Sequence, residues 1–335
     1  MQLQFGTYSI AGCPPFAGVL LDDRVLAVHA LKPICARLDL PLTGASSLLT
    51  LLEDWERNLS SIRSALPHAD LGAAAQITSL RVDAPIPNPR QVVCMGANYR
   101  KHVIDLIVAQ GAGSATVGMS VEQRQQAAAA LMDERARSGI PYAWLKAASA
   151  VAGPFDVLTL PGYTQQADWE LELALVIGKP AHRVSRDKAL EHVAGYMIAN
   201  DVTARDHVYR PDIKAIGTDW LTAKGAPGFL PTGPHLVPRD SISDPHDLRI
   251  VLKLNGKVMQ DESTRDMIFG IERQIEYISA HIALSPGDII CTGSPAGNGA
   301  HFGRYLQPGD VMEGSITGLG VQRVRCASDD RQATN

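Results

Sequence analysis

The sequence predicts an α+β protein, mainly β, with a small N-terminal α/β domain ahead of a larger strand-rich one. Three observations carry that expectation. Apolar residues alternate with period two in "DWELELALVIGK" and "MQLQFGTYSI", as strands require. Few stretches hold helical spacing for long. Three prolines close together in "VDAPIPNPRQ" mark a linker. The chain has 335 residues, enough for two domains. The expected division is a small domain over 1–80, a linker over 81–90, the main domain over 91–325 and a polar, frayed tail over 326–335.

In chain order, "FAGVLLDDRVLAV" reads as a hairpin turning at Asp22 and Asp23. "SSLLTLLEDWERNLSSIRSAL" reads as one amphipathic helix. "VVCMG" reads as a buried strand. In "SVEQRQQAAAALMDERARSGIP", Ser120 and Gln123 make a capping box, Gly139 ends the helix and Pro141 blocks continuation. This helix interrupts strand-rich sequence, so 107–140 is either a lid or a surface helix packed at a domain edge. "SRDKALEHVAG" reads as a short helix between Ser185 and Gly195, and "YMIAND" as a strand ending on a polar pair. Met267, Ile268, Ile271, Ile275, Ile278 and Ile282 follow helical spacing and read as core. "SPGDIICTG" and "QPGDVMEGSI" are turn-then-strand units sharing a PGD turn.

Composition excludes several classes. Net charge is −4 and no basic run exists, which argues against a nucleic-acid partner. No apolar stretch is long enough to span a membrane, and "MQLQFGTYSI" lacks the features of a signal peptide. Five scattered cysteines without CxxC spacing suggest reduced thiols in a cytoplasm.

"DWELELALVIGK" poses the chemical question. Trp169, Leu171, Leu173, Leu175 and Ile177 share one apolar face, while Asp168, Glu170 and Glu172 open the other. Same-face neighbours about 7 Å apart repel by roughly 2 kcal/mol per close pair. Neutralisation, pairing with Lys or Arg, or a bound cation can each offset that. An all-oxygen donor set suits Mg²⁺, or else Mn²⁺ or Ca²⁺, rather than zinc. Asp201, at the end of "YMIAND", can supply a third ligand. The competing reading is a solvated strand end with salt bridges.

"NYRKHVID" leaves the strand "VVCMG". If it is helical, His102 and Asp105 share a face and form a competent general-base pair; an incidental surface pair is the competing reading. The glycine loop "TGSPAGNG" is neither a P-loop nor a dinucleotide fingerprint, though its N–H groups can meet an anion. Lys224 and Arg205 are carboxylate anchors or plain surface charges. No GxSxG elbow supports a serine hydrolase.

Taken together, "CMGANYRKHVIDL", "WLKAASAVAGP", "DWELELALVIGK", "GYMIANDVTARD", "TDWLTAKG", "LKLNGKVMQDESTRDMIF", "LSPGDIICTGSPAGNG" and "LQPGDVMEGSITGLG" resemble the fumarylacetoacetate hydrolase family. The likeness is to its common C-terminal catalytic domain, over roughly residues 90–325. The resemblance implies a mixed β-sandwich roll with short helices, a homodimer and a Mg²⁺ or Mn²⁺ site. It assigns Glu170, Glu172 and Asp201 as ligands, with Asp168 behind them. It places Lys224 beside the metal and makes His102 the water-activating base, with Asp105 where relatives usually carry glutamate. Arg205, Lys146 and Ser294 fall on substrate-side motif positions. Val208 stands where relatives often carry glutamine, so the segment 206–220 is where substrate choice differs, toward a less polar far end of the pocket.

The implied reaction is metal-dependent hydrolysis of the C–C bond of a 2,4-dioxo acid, of acylpyruvate or fumarylpyruvate type. The products are pyruvate and a carboxylic acid. Closure of the 107–140 segment would exclude water. Decarboxylase, hydratase or isomerase chemistry at the same site is the first alternative, and a non-catalytic metal-binding scaffold the second.

Overall fold

The computed structural model describes residues 2–110, 118–212 and 217–329. Parts of three expectations lie outside them: 111–117 of the 107–140 lid, 213–216 of the 206–220 segment, and 330–335 of the tail.

The N-terminal part opens with β1 (Gln4–Ser9), β2 (Phe16–Leu21) and β3 (Arg24–Ala27), followed by α1 (Lys32–Arg37), α2 (Leu48–Leu52), α3 (Trp55–Ala65), β4 (Ala75–Gln76) and β5 (Arg81–Val82). The strands form one sheet in the order β4-β3-β2-β1-β5. Asp22 takes φ 56 at the hairpin turn, a left-handed conformation that Asp tolerates better than most residues. The single helix expected over 46–66 is two. α2 starts on the Ser47 side-chain cap, and α3 starts after Asp54, whose φ of −134 breaks the run. The break lets Asn58 Nδ2 donate to Leu51 O at 2.9 Å. Phe5 and Leu236 exchange backbone hydrogen bonds of 2.9 and 2.7 Å, and Trp55 Nε1 donates to Ala194 O at 3.0 Å. One buried apolar cluster runs from Leu3 to Cys326.

The chain continues through β6 (Val92–Gly96), α4 (Arg100–Gln110), α5 (Val121–Ser138), β7 (Tyr142–Lys146), β8 (Val151–Ala152), β9 (Val157–Leu160), β10 (Ala167–Asp168), β11 (Leu171–Ile177), β12 (Val193–Asn200), β13 (Thr203–Ala204), α6 (Trp220–Lys224), β14 (Leu230–Pro231), β15 (Val237–Pro238), β16 (Arg249–Leu254), β17 (Lys257–Ser263), α7 (Ile271–His281), β18 (Ile289–Cys291), α8 (Gly299–Phe302), β19 (Val311–Ile316) and β20 (Gly320–Ser328). Two larger sheets have the orders β15-β12-β11-β18-β6-β7 and β17-β16-β19-β20-β9. Both are mixed, because β18 runs parallel to β6 and β20 parallel to β9 among otherwise antiparallel pairs. The sheets meet where Leu171 N donates to Gln260 Oε1 at 3.1 Å and Leu171 packs over Gly314. The fold is therefore mainly β, with mixed sheets and short helices.

The capping box at Ser120 is complete: Ser120 Oγ accepts from Gln123 N at 3.2 Å, and Gln123 Oε1 accepts from Ser120 N at 2.9 Å. α5 packs on α4 and buries only Ala128 and Met132. Two boundaries need correction. Over 185–195 the chain forms a 3-10 helix only from Arg186 to His192, and Gly195 lies inside β12. Its close approach to Val237 O leaves no room for a Cβ. The tail expected to fray from 326 instead stays in β20 through Ser328, paired with β9, and Cys326 is buried. Among the described residues no helix is long and apolar enough to cross a membrane.

Candidate metal and acid–base site

β11 and β12 lie in the middle of the six-stranded sheet, and β11 is buried along its whole length. The strand expected over 168–179 is interrupted. Asp168 ends β10, β11 starts at Leu171, and Glu170 sits in the step between them. Asn200 Oδ1 accepts from Glu170 N at 2.9 Å, and Glu170 O accepts from Asp201 N at 2.8 Å. These bonds bring the end of β12 to the start of β11. Glu170, Glu172 and Asp201 then offer carboxylate oxygens that all lie within 4.8 Å of one another.

Asp168 is not one of that trio. It accepts from Arg205 Nε at 2.8 Å and from the backbone N–H groups of Gly299 and Ala300 at the start of α8. Arg205 also pairs with Glu170. Lys224, the last residue of α6, donates to Glu170 Oε2 at 2.8 Å and pairs with Asp201. Lys146, at the end of β7, donates to Asp201 Oδ1 at 2.7 Å. Glu172 accepts from Gly293 N at 2.7 Å, and among the described residues it forms no ion pair with a cationic side chain.

The electrostatics follow from this pairing. Burial pushes Glu170 up, but Arg205 and Lys224 outweigh it and hold its carboxyl at about 2. Burial, then Asp201 and Glu170, drive Glu172 well above the usual carboxylate range. Burial raises Asp168 despite Arg205. Burial opposes the charge on Lys224, yet Asp201 and Glu170 prevail and raise its pKa, so the ammonium persists. Four buried carboxylates, Asp168, Glu170, Glu172 and Asp201, face three cations, Lys146, Lys224 and Arg205. The fourth carboxyl group, Glu172, has no matching cation, and the all-oxygen donor set of Glu170, Glu172 and Asp201 fits a hard divalent cation.

Glu170 and Lys224 form the floor of a cavity of about 550 Å³. His102, Arg205, Val208 and Ser294 also line it, whereas Lys146 is not among the lining residues and lies against Asp201. Ser294 Oγ accepts from Gln260 Nε2 at 3.0 Å. α4 is helical through His102 and Asp105, as the spacing suggests, but among the described residues no hydrogen bond joins the two. Asp105 instead pairs with Lys101 at 3.5 Å. His102 is half-buried, and burial lowers its pKa to about 4, with Glu170 opposing and Arg205 assisting. Its imidazole is neutral near pH 7 and able to accept a proton.

Sequence reasoning missed the cavity's upper wall. Tyr142, Trp144 and Trp220 line it. The available signal was the alternation in "YAWLK" and the aromatic residue opening "WLTAKG".

The chain is similar to known proteins over most of its length. The family model for the fumarylacetoacetate (FAA) hydrolase C-terminal domain matches residues 91–327. A mitochondrial oxaloacetate tautomerase, FAHD2A, of Bos taurus is 36% identical over 83% of this chain and 79% of its own. A 2,4-didehydro-3-deoxy-L-rhamnonate hydrolase of Sphingomonas sp. is 36% identical over 80% and 87%. The solved structure of a fumarylacetoacetate hydrolase from Exiguobacterium antarcticum superposes with TM-score 0.69 at 29% identity, covering 97% of this chain and 99% of that one.

Proposed function

The chain belongs to the fumarylacetoacetate hydrolase family, and on that premise we propose that it hydrolyses the C3–C4 bond of a 2,4-dioxo acid, of acylpyruvate or fumarylpyruvate type, in a Mg²⁺- or Mn²⁺-dependent reaction. The observation that carries this reading is the convergence of Glu170, Glu172 and Asp201 within 4.8 Å, with Glu170 lining a cavity that Lys224 and a neutral His102 also line. A divalent cation on those carboxylates supplies Lewis-acid polarisation of the 2-oxo carbonyl and neutralises developing negative charge.

The chain's own groups do the rest. His102 takes a proton from water as the oxygen attacks the distal carbonyl. The C3–C4 bond breaks, and its electron pair stays with the three-carbon fragment as an enolate. Lys224, held charged by its carboxylate neighbours, donates to the enolate oxygen. His102 returns the proton, and pyruvate and a carboxylic acid leave. The family resemblance also supports a homodimer.

A second reading, keto–enol tautomerisation of a 2-oxo acid, is favoured by the missing bond between His102 and Asp105. Moving a proton between carbon and an enol oxygen needs no activated water. The 36% identity to an oxaloacetate tautomerase supports the same reading.

The test supplies an acylpyruvate and oxaloacetate separately with Mg²⁺. Metal-dependent release of pyruvate from the acylpyruvate, lost in His102→Asn, supports hydrolysis. Decay of enol absorbance without pyruvate supports tautomerisation. Metal-dependent stability with no turnover of either acid rejects both.

A further inference from the structure

The cavity's upper wall is built with care at its base. Trp144 and Tyr142 lie two apart on the edge strand β7, so they share a face, and they pair in register with Cys94 and Gly96 of β6. Gly96 has no side chain to lift them. A Cβ there would fall 2.6 Å from Tyr142 Cδ1 and 2.8 Å from Trp144 Cζ3. Trp220 opens α6 four residues before Lys224, which puts both on one helix face. The Trp144 and Trp220 rings stack, with centroids 4.5 Å apart and planes 14° apart. Trp220 Nε1 donates to the Tyr142 hydroxyl at 2.9 Å. The Lys224 ammonium lies 5.1 Å from the Trp144 ring centroid and 6.0 Å from that of Trp220. The aromatic pair therefore begins where the reacting head group ends.

The charges around the cavity point the same way. Its lining cations are Arg205, Lys224 and, when protonated, His102. Arg205 is held by Asp168 and Glu170, and Lys224 by Glu170 and Asp201. Leu106, Val208 and Tyr209 also line the cavity, and Gln166, Thr218 and Tyr305 add polar but uncharged groups. A second substrate carboxylate there would lose water and gain no free cation, which is costly. A flat acyl group would lose little and gain ring contact.

We infer that Trp144 and Trp220 form a specificity wall that selects an uncharged, flat acyl group, aroyl or conjugated, over an acyl group bearing a second carboxylate. This rests on the 2-oxo acid reading of the site, and the test separates the two. Wild type, Trp220→Leu, Trp220→Phe and Trp144→Leu are assayed with benzoylpyruvate and with fumarylpyruvate, which carries the extra carboxylate. Expected is a wild-type kcat/KM preference for benzoylpyruvate of about tenfold. Either leucine variant should erode it, chiefly through KM, and Trp220→Phe should retain it. A wild-type preference for fumarylpyruvate, or an unchanged ratio in the leucine variants, overturns the inference.

A binding arm needs no turnover. The Mg²⁺-loaded protein is titrated with phenylpyruvate and with pyruvate, following tryptophan emission. Tighter binding of phenylpyruvate by about tenfold, lost in Trp220→Leu, supports the wall even if every 2-oxo acid proves inert and the catalytic reading fails. Equal affinities overturn the wall and leave the catalytic reading standing.

Discussion

The ammonium of Lys146 lies 2.7 Å from Asp201 Oδ1, and both side chains are wholly excluded from solvent. A buried pair of this kind costs most when one partner alone is removed. Lys146→Ala should lower the stability of the metal-free protein by about 3–5 kcal/mol, read as a shifted urea midpoint. Saturating Mg²⁺ should recover part of the loss, because a cation on Asp201 replaces the missing charge.

Glu172 differs from the other acids of the cluster in being held by a backbone N–H rather than a cationic side chain. Glu172→Gln should leave the metal-free protein at least as stable as wild type, since Gln is neutral without binding a proton where burial and the neighbouring acids disfavour the carboxylate. The same change should abolish the rise in Tm on adding Mg²⁺ or Mn²⁺. A site filled at one hundred times its Kd stabilises by about 2.7 kcal/mol, so calorimetry with and without metal resolves the difference.

His102 sits at about 4, below its ordinary value, because burial disfavours the imidazolium. The neutral form is the native one, so its contribution to stability is present above the ordinary histidine pKa. It is lost as pH falls toward 4. The acid limb of kcat/KM should accordingly bend near pH 4 rather than near about 6.5. His102→Asn should cut kcat by about 10²–10⁴-fold and remove that limb from a pH–rate profile.

Gly96 is a steric requirement of the aromatic wall. Gly96→Ala should push Tyr142 and Trp144 outward and destabilise the fold by about 1–3 kcal/mol. Near-UV circular dichroism should lose part of its tryptophan signal while the far-UV spectrum stays unchanged. An unaltered near-UV spectrum would show that the rings do not rest on this glycine.

Much of the architecture was legible because it rests on local rules. The continuous apolar run at 92–96, the period-two apolar face of 171–177, the Asp22 hairpin and the Ser120 capping box each follow from spacing and turn chemistry within a few residues. The motif likeness named Glu170, Glu172 and Asp201 before any geometry was available, and the structure brings their oxygens together. What failed depends on long-range partners. The helix break at Asp54 is coupled to the Asn58–Leu51 bond. The strand that absorbs Gly195 is positioned by Val237. Asp105 shares a helix face with His102, yet it pairs with Lys101. Spacing puts side chains on one face but does not decide which neighbour each will choose. The wall made by Trp144 and Trp220 joins residues more than seventy positions apart, which no local pattern reveals.

Glu170, Glu172 and Asp201 sit on or beside the interior strands β11 and β12 of the six-stranded sheet, whereas Tyr142 and Trp144 occupy an edge strand and Trp220 a helix of five residues. Periphery can be rebuilt without disturbing the middle. A combinatorial library confined to positions 142, 144 and 220 should therefore yield many soluble members with altered appetite for acyl groups, whereas the same diversity at 170, 172 and 201 should yield almost none that still grip an ion.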